Sequence, residues 1–350
     1  MKIAYYCTWD LNLNDGVTTK INNQVNCWKE RGNEVRIFNK YKNNHRALKI
    51  IKGYYDSNLL KKLNHYRPDI VYIRSEPFTI TQLCILSRFR CIIEINTDDI
   101  EELRIDHSLY GRLKFLYTLC FRRIVYHKVS GIVFVTQELQ KKKYMNPYNK
   151  ESIVCPNSIV FRRETILPEI RHENNEYNLI FIGTPNQPWH GIDRLERIAA
   201  FTPQITYHIV GSDKPVHYRD KKPCNVKYYG WLQRMDYIEL CQKCDAAIGT
   251  LALYRKGLNE ACPLKTREYI SMGLPIIIGY NDTMFIEIKS LPWWVLVLPN
   301  DDSADECIAA SVESFLRKIA GRRIPLEEIE EFTSLSNYED KRLRFLSSLA

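Results

Sequence analysis

The sequence predicts an α/β protein made of two parallel sheets, each covered by helices, and three observations lead there. Short runs rich in Ile, Val and other apolar residues alternate with stretches of helical periodicity, the pattern of strands joined by helical crossovers. These runs form two series of six, and the polar stretch 160–177, which carries a single proline, separates them as an interdomain linker. No internal repeat or low-complexity tract relates the halves, so the prediction rests on architecture and not on duplication.

The first series starts at Ile3–Cys7 and continues through Val35–Asn39, Ile70–Arg74, Cys91–Asn96, Gly131–Thr136 and Ile153–Pro156. The second comprises Leu179–Gly183, Thr206–Gly211, Val226–Gly230, Ala246–Gly249, Pro275–Gly279 and Val295–Pro299, and from Leu326 the pattern turns helical. Ligands of open parallel sheets bind beyond the carboxyl ends of the strands, which singles out the loops after Ile3–Cys7, Leu179–Gly183 and Ala246–Gly249. Gly16 lies on the first of these and opens a helical stretch whose backbone N–H groups can meet a phosphate or a sugar hydroxyl. An ordinary turn glycine explains it equally well. A Gly-x-Gly-x-x-Gly dinucleotide fingerprint is absent.

With 350 residues, 45% of them hydrophobic, the chain can build two medium-sized cores. Its eleven scattered cysteines fit reduced, buried thiols, and the single CxxC pair, Cys241 and Cys244, marks one face of a helix more readily than a metal site. No apolar run reaches the roughly 18 residues of a membrane span and no signal peptide precedes the first strand, so a cytoplasmic location is expected.

The net charge of +9 is unevenly shared: residues 1–165 carry +12 and residues 166–350 carry −3. A basic half implies an acidic partner such as an anionic membrane surface or a lipid diphosphate. Nucleic acid is not expected, because no recognition motif accompanies the charge. The segment Tyr110–Lys128 interleaves aromatics, leucines and cations and admits two readings. It lies in a membrane interface, peripheral to the inner face of the cell membrane. Alternatively, it is an ordinary amphipathic helix with Leu116, Leu119, Cys120 and Ile124 in the core and Arg122, Arg123 and Lys128 in water.

Glu260-Ala-Cys-Pro-Leu-Lys-Thr-Arg-Glu268, followed by Gly273-Leu274-Pro275 and Ile276-Ile277-Ile278, joins a candidate site to a fold element. Pro263 suits a first helical position, so free N–H groups near Leu264 and Thr266 would face an anion, with Lys265 adding a full positive charge. Glu268 falls about one helical turn further on, within reach of sugar or ribose hydroxyls. This outlines a nucleotide-sugar site.

Two glutamates separated by seven residues, then a helix and a Gly-x-Pro turn, resemble the retaining GT-B glycosyltransferases of family 4. The resemblance extends to Lys2-Ile-Ala-Tyr-Tyr with Asp15-Gly-Val-Thr18, to Phe181-Ile-Gly-Thr-Pro-Asn-Gln-Pro-Trp-His-Gly-Ile-Asp193, and to Pro275-Ile-Ile-Ile-Gly279. It implies a GT-B architecture of two Rossmann-like domains facing a central cleft: an acceptor-side domain over 1–165, a nucleotide-sugar domain over 166–325, and a helical segment, 326–350, packing back on the first domain. It also implies sugar transfer with retention of configuration, without a cofactor other than the nucleotide-sugar donor; the Asp98-Asp99 pair suggests a divalent metal, but no separated Asp-x-Asp accompanies it, so metal independence is expected. Glu260 would contact the transferred sugar, Glu268 the ribose and Lys265 the diphosphate.

Family members often carry an arginine after the first glycine of the donor loop and a lysine before the second. Here Thr184 follows Gly183 and His190 precedes Gly191, so the diphosphate would depend on Lys265, helix N-termini and a protonated His190. Trp189 would stack on a base or sugar, or pack in the core. In the first half, Asn96 stands where many relatives have a histidine and would hydrogen-bond a sugar hydroxyl, with Asp98 or Asp99 holding the acceptor; a helix cap explains these acids equally well. The loops Trp9–Asn12 and Tyr41–His45 carry no acceptor signature, and the basic half favours a polyprenyl-diphosphate-linked glycan of surface polysaccharide assembly. Two other functions share this outline: a sugar-nucleotide epimerase of the same architecture, and a non-catalytic binding or scaffold subunit, which the Thr184 and His190 departures motivate.

Overall fold

Two six-stranded, wholly parallel sheets organise the computed structural model of the chain, which describes residues 1–12, 15–39, 55–74, 78–170, 176–216 and 223–350. Tyr41–His45 and residues 171–175 lie outside the described residues. The chain divides into two compact units, Met1–Pro156 with Leu335–Ala350, and Asn157–Ser334.

In the first unit the order in sequence is β1 (Lys2–Cys7), α1 (Gly16–Glu30), β2 (Glu34–Asn39), α2 (Ser57–Tyr66), β3 (Ile70–Arg74), α3 (Ile80–Arg88) and β4 (Cys91–Ile95). It continues with α4 (Asp99–Ile105), α5 (Leu109–Lys128), β5 (Gly131–Phe134), α6 (Gln137–Lys141) and β6 (Glu151–Val154). The sheet runs β2–β1–β3–β4–β5–β6. Its central strands are buried on both faces, as parallel strands covered by crossover helices must be, and β4 is buried along its whole length. Side chains cap the helix starts: Asp15, Asp56, Thr79, Asp98, Ser108 and Thr136 each accept from a first-turn N–H of α1 to α6 in turn.

The second unit contains β7 (Tyr177–Ile182), α7 (Ile192–Ala200), β8 (Ile205–Val210), β9 (Val226–Tyr228), α8 (Arg234–Gln242), β10 (Ala246–Ile248) and β11 (Glu260–Ala261). It ends with α9 (Leu264–Ser271), β12 (Ile276–Ile278), β13 (Asn281–Asp282), β14 (Val295–Val297), α10 (Asp305–Ile319) and α11 (Leu326–Thr333). Its main sheet runs β14–β12–β10–β7–β8–β9, while β11 and β13 form a separate parallel pair. Those two-residue strands are too short to show in an apolar pattern.

The unit boundary falls before the polar linker instead of at its 165/166 point. Asn157 explains this: its backbone N–H reaches Cys262 Sγ at 3.0 Å and its amide nitrogen reaches the Cys262 carbonyl at 2.6 Å, tying it to the second unit. Ile159 also bridges to Ser334, so α11 stays with that unit and α12 (Leu335–Leu349) alone joins the first. The close approach of Gly131 explains how α12 fits, because a Cβ there would lie 2.5 Å from Leu349 and 2.9 Å from Phe345. All eleven cysteines are free, and Cys241 and Cys244 are both buried.

The ordinary amphipathic reading of α5 fails for its apolar residues and Arg122, while Arg123 and Lys128 are exposed as it expects. Leu116, Leu119, Cys120 and Ile124 are exposed, whereas Arg122 is partly buried, 3.1 Å from Asp99 and 2.9 Å from the Tyr126 hydroxyl. Helical spacing reveals that a stripe exists but not which way it faces.

At the centre of the first unit Glu94, on β4, is fully buried. Lys20 of α1 donates to its Oε1 at 2.6 Å, Tyr72 of β3 donates to Oε2 at 2.6 Å, and Arg74 and Arg342 lie 3.4 and 3.5 Å away. Arg342 also pairs with Glu339, which accepts from the Trp28 indole at 2.7 Å and from Gln24 at 3.3 Å. Burial opposes ionisation of Glu94, but the three cations prevail and hold it far below the usual carboxylate range. Glu94→Gln leaves Lys20, Arg74 and Arg342 without their shared counter-charge, and is expected to destabilise the first unit by about 3–5 kcal/mol. Urea unfolding followed by Trp28 fluorescence checks this; a loss below about 1 kcal/mol, the value of an exposed pair, would mean that the network is not needed.

Candidate functional site

The second sheet changes its winding direction between β7 and β10, adjacent strands from which the order runs outward both ways. In such sheets the crevice beyond the carboxyl ends at this switch point receives the ligand. The loop after β7, Gly183–Gly191, and the loop after β10 meet there: Leu251 N–H donates to the His190 carbonyl at 3.1 Å and Ala252 N–H to that of Trp189 at 3.2 Å. Arg255 clamps the second loop to α7 through two contacts with Asp193, at 2.8 and 2.7 Å, and so holds Lys256 4.3 Å from the centre of the Trp189 ring. The half-buried Trp189 thus carries a cation on its face.

Glycines let the backbone close in here. A Cβ on Gly183 would come within 2.7 Å of the Phe181 ring and 2.9 Å of His190. Gly211, at φ +96°, is the tighter position: a Cβ would sit 1.7 Å from the Gly183 carbonyl oxygen. Gly191, at φ +72°, precedes α7, whose first turn has no side-chain cap.

Lys265 stands on the first turn of α9. The helix begins at Leu264, with Pro263 one residue earlier than expected, as its N-cap, and no side chain caps its amides. The Lys265 ammonium is buried 4.0 Å from the centre of the Phe181 ring and has no hydrogen-bond partner among the described residues. Burial lowers its pKa from 10.5 to about 7. His190 packs edge-on against the other side of this cluster, 5.3 Å from Phe181, with Nδ1 unpartnered. Burial first, and then the charges of Lys265 and Lys256, push its pKa well below the ordinary imidazole range. The unliganded protein therefore carries a neutral His190 and not the expected protonated one. Missing caps alone single nothing out, since α8, α10 and α11 also lack them. The orphaned ammonium beside two uncapped turns forms a site with donors to spare, suited to an anion.

Glu260 on β11 is buried. Glu268 lies further along α9, where it accepts from the Tyr237 hydroxyl at 3.0 Å and pairs with Arg234 at 3.2 Å. The Thr266 side chain is occupied by the Tyr280 hydroxyl at 2.7 Å, which leaves Leu264 and Thr266 to contribute through their backbones. Thr184 is exposed on the loop.

In the first unit, Asn96 Oδ1 accepts from Lys20 at 2.9 Å and Arg74 at 3.4 Å, and its Nδ2 is buried without a partner among the described residues. Gly16 begins α1, but the Asp15 carboxylate already caps that turn, held by the Trp9 indole at 3.0 Å. A second anion there would be repelled, so the turn suits a hydroxyl better than a phosphate. Both Asp98 oxygens are engaged: Oδ1 caps α4, and Oδ2 receives Lys142 at 2.9 Å and the Tyr144 hydroxyl. Asp98 therefore serves here as a helix cap and ion-pair partner. Sequence reasoning missed Lys256, Gly211, Arg234 and Lys20. Only Lys256 had a local signal, the Arg255-Lys256 pair just after a strand-end loop.

No protein-family model and no curated protein matches the chain. Solved structures do. Sucrose-phosphate synthase from Thermosynechococcus elongatus superposes with a TM-score of 0.69 at 10% identity, covering 99% of this chain and 98% of that one. An α-glucosyltransferase in complex with UDP and a 13-mer DNA containing an HMU base gives a TM-score of 0.65 at 13% identity, over 99% of both chains. The lipopolysaccharide outer core galactosyltransferase WaaB in its apo form gives 0.59 at 14% identity, over 100% of both. The fold of this chain is thus the GT-B glycosyltransferase fold, an α/β architecture with two parallel six-stranded sheets.

Lys265 generates a signed pH prediction. Its pKa is lower folded than unfolded, so between about 7 and 10.5 the unfolded chain binds more protons, and stability rises with pH across that window. Lys265→Met should therefore raise the melting temperature of the ligand-free protein most at and below pH 7, with the gain shrinking toward pH 10.5. Thermal melts across that range decide the matter; an equal gain at every pH would show that the ammonium is not desolvated.

Proposed function

We propose that the chain is a retaining glycosyltransferase that moves a hexose from a nucleoside-diphosphate sugar to a glycan acceptor, without a metal. The acceptor we assign is lipid-linked, presented at an anionic membrane during surface polysaccharide assembly. The observation that carries the reading is the buried, unpartnered Lys265 ammonium at the uncapped start of α9. A diphosphate there supplies the missing counter-charge, and the same charge stabilises the leaving group as the glycosidic bond breaks. Lys256 adds a second cation on the face of Trp189, and His190 packs edge-on against Phe181. Glu268, held by Tyr237 and Arg234, faces the ribose, Glu260 the transferred sugar, and Asn96 Nδ2 an acceptor hydroxyl.

Several structures with this fold support the class, among them one that binds UDP and one named for lipopolysaccharide outer core synthesis. UDP and its sugar conjugates are therefore the first ligands to try. A selective thermal shift with one nucleotide sugar, followed by NMR of the transfer product showing a retained anomeric configuration, is the expected outcome. Binding without turnover on any acceptor would favour the scaffold reading, and conversion of the sugar nucleotide without acceptor would favour an epimerase.

Two further outcomes follow from the residue roles. Glu268→Ala should mainly raise the donor KM and Glu260→Ala mainly lower kcat, by about 100-fold or more, as for loss of an interaction made in the transition state; equal and small effects on both would undo the assignment. Donor binding should also take up close to one proton per site at pH 8, because the diphosphate restores the pKa of Lys265 from about 7 toward 10.5. Calorimetry in buffers of different ionisation enthalpy reads that proton directly, and Lys265→Met should abolish it.

A further inference from the structure

We propose that the outward face of α5 docks the first unit onto an anionic lipid bilayer, which deepens the reading above by naming the surface that would meet a lipid-linked acceptor and rests on that reading for the acceptor alone. Leu109, Leu113, Leu116, Cys120 and Ile124 recur at helical spacing along one side of this 20-residue helix. All five point to solvent, with Leu109 77%, Leu113 59% and Leu116 57% exposed. Leu119 flanks the stripe and is exposed too.

The stripe does not stand outside for want of a core. The opposite side of α5 is already committed: Val125 and Tyr126 are buried, Phe121 stacks on Phe78 at 4.5 Å, and Tyr117 donates to the Phe78 carbonyl at 2.8 Å. Turning the leucines inward would expose this set and strand Arg122, which is paired with Asp99.

Charge decides what covers the stripe. Arg112 and Arg123 border it on one side, Lys114 and Lys128 on the other, all exposed, and the helix contains no acidic residue. A second copy of the chain would set like charges against each other along the whole contact. An anionic bilayer matches both parts at once, with acyl chains for the leucines and phosphates for the flanking cations. The +12 net charge of residues 1–165 acts in the same direction.

The test uses the full chain and co-sedimentation with vesicles of phosphatidylcholine alone or of phosphatidylcholine and phosphatidylglycerol in equal parts. Binding is expected to the anionic vesicles only and to weaken with added salt. Arg112→Gln and Arg123→Gln should each reduce it about fivefold, the effect of one basic residue near an anionic surface. Leu113→Gln combined with Leu116→Gln should reduce it at least tenfold through lost apolar burial. These side chains are exposed, so the variants should keep the wild-type melting temperature and the nucleotide-induced shift. That shift reports the donor site independently, so failure of membrane docking and failure of the proposed transferase activity are read separately. No binding at low salt, equal binding to neutral vesicles, or a dimer in sedimentation velocity that the leucine variants dissociate would each overturn the proposal.

Discussion

The first unit is organised around one buried carboxylate. Glu94 gathers Lys20 from α1, Tyr72 and Arg74 from β3 and Arg342 from α12, so a single side chain fixes the relative placement of a helix, two strands and the end of the chain. The geometry has little slack, because an ion pair removed from water is stable only when nearly every donor and acceptor is met. Lys20 illustrates the balance: burial lowers its pKa to about 8, although the neighbouring Glu94 works to raise it. The same cations also grip the Asn96 oxygen, so the network that holds the sheet together orients the amide nitrogen offered to an acceptor.

The two units handle buried charge in opposite ways. In the first, the central cations share carboxylates. In the second, the equally buried Arg267 is met by Asp282, by Cys262 and by the Asn157 carbonyl, while a few residues away Lys265 is left with only an aromatic face. A fold that can saturate Arg267 so fully has the means to saturate Lys265 as well. That it does not fits the role proposed above, in which stability is given up for readiness to take an anion.

Most of the architecture was legible in the sequence because it is local. Most strands of the two main sheets show as apolar runs bounded by Gly, Pro or polar residues, and the α9 segment announces Lys265 through its proline and its spacing from the glutamates. What stayed hidden depends on contacts between distant residues. Nothing near Lys20 or Glu94 in sequence indicates that they meet, and Asp98 offers the same letters whether it caps a helix or binds a sugar. The outward turn of Leu116 and Leu119 was equally invisible, since periodicity is unchanged when a helix rotates about its axis. The neutral state of His190 was hidden because it is set by burial first and then by Lys265 and Lys256, which approach it only in the folded chain.

Because α12 completes the first unit, that unit is discontinuous, and this constrains how the protein is made. Gln24 and its partner Glu339 are 315 residues apart. At a synthesis rate of about 5–20 residues per second, some 15–60 s separate the appearance of the two on a ribosome. During that interval β1 to β6 can assemble with Lys20 and Glu94 already paired, but the Trp28 indole has no acceptor and the groove that later holds Phe345 and Leu346 stands open. When α12 arrives it brings one buried charge of each sign, Glu339 and Arg342, and leaves the net charge of the cluster unchanged. The waiting intermediate thus carries the same single excess positive charge as the finished cluster, from Lys20 and Arg74 against Glu94, and lacks the Trp28 acceptor and the apolar contacts that α12 supplies.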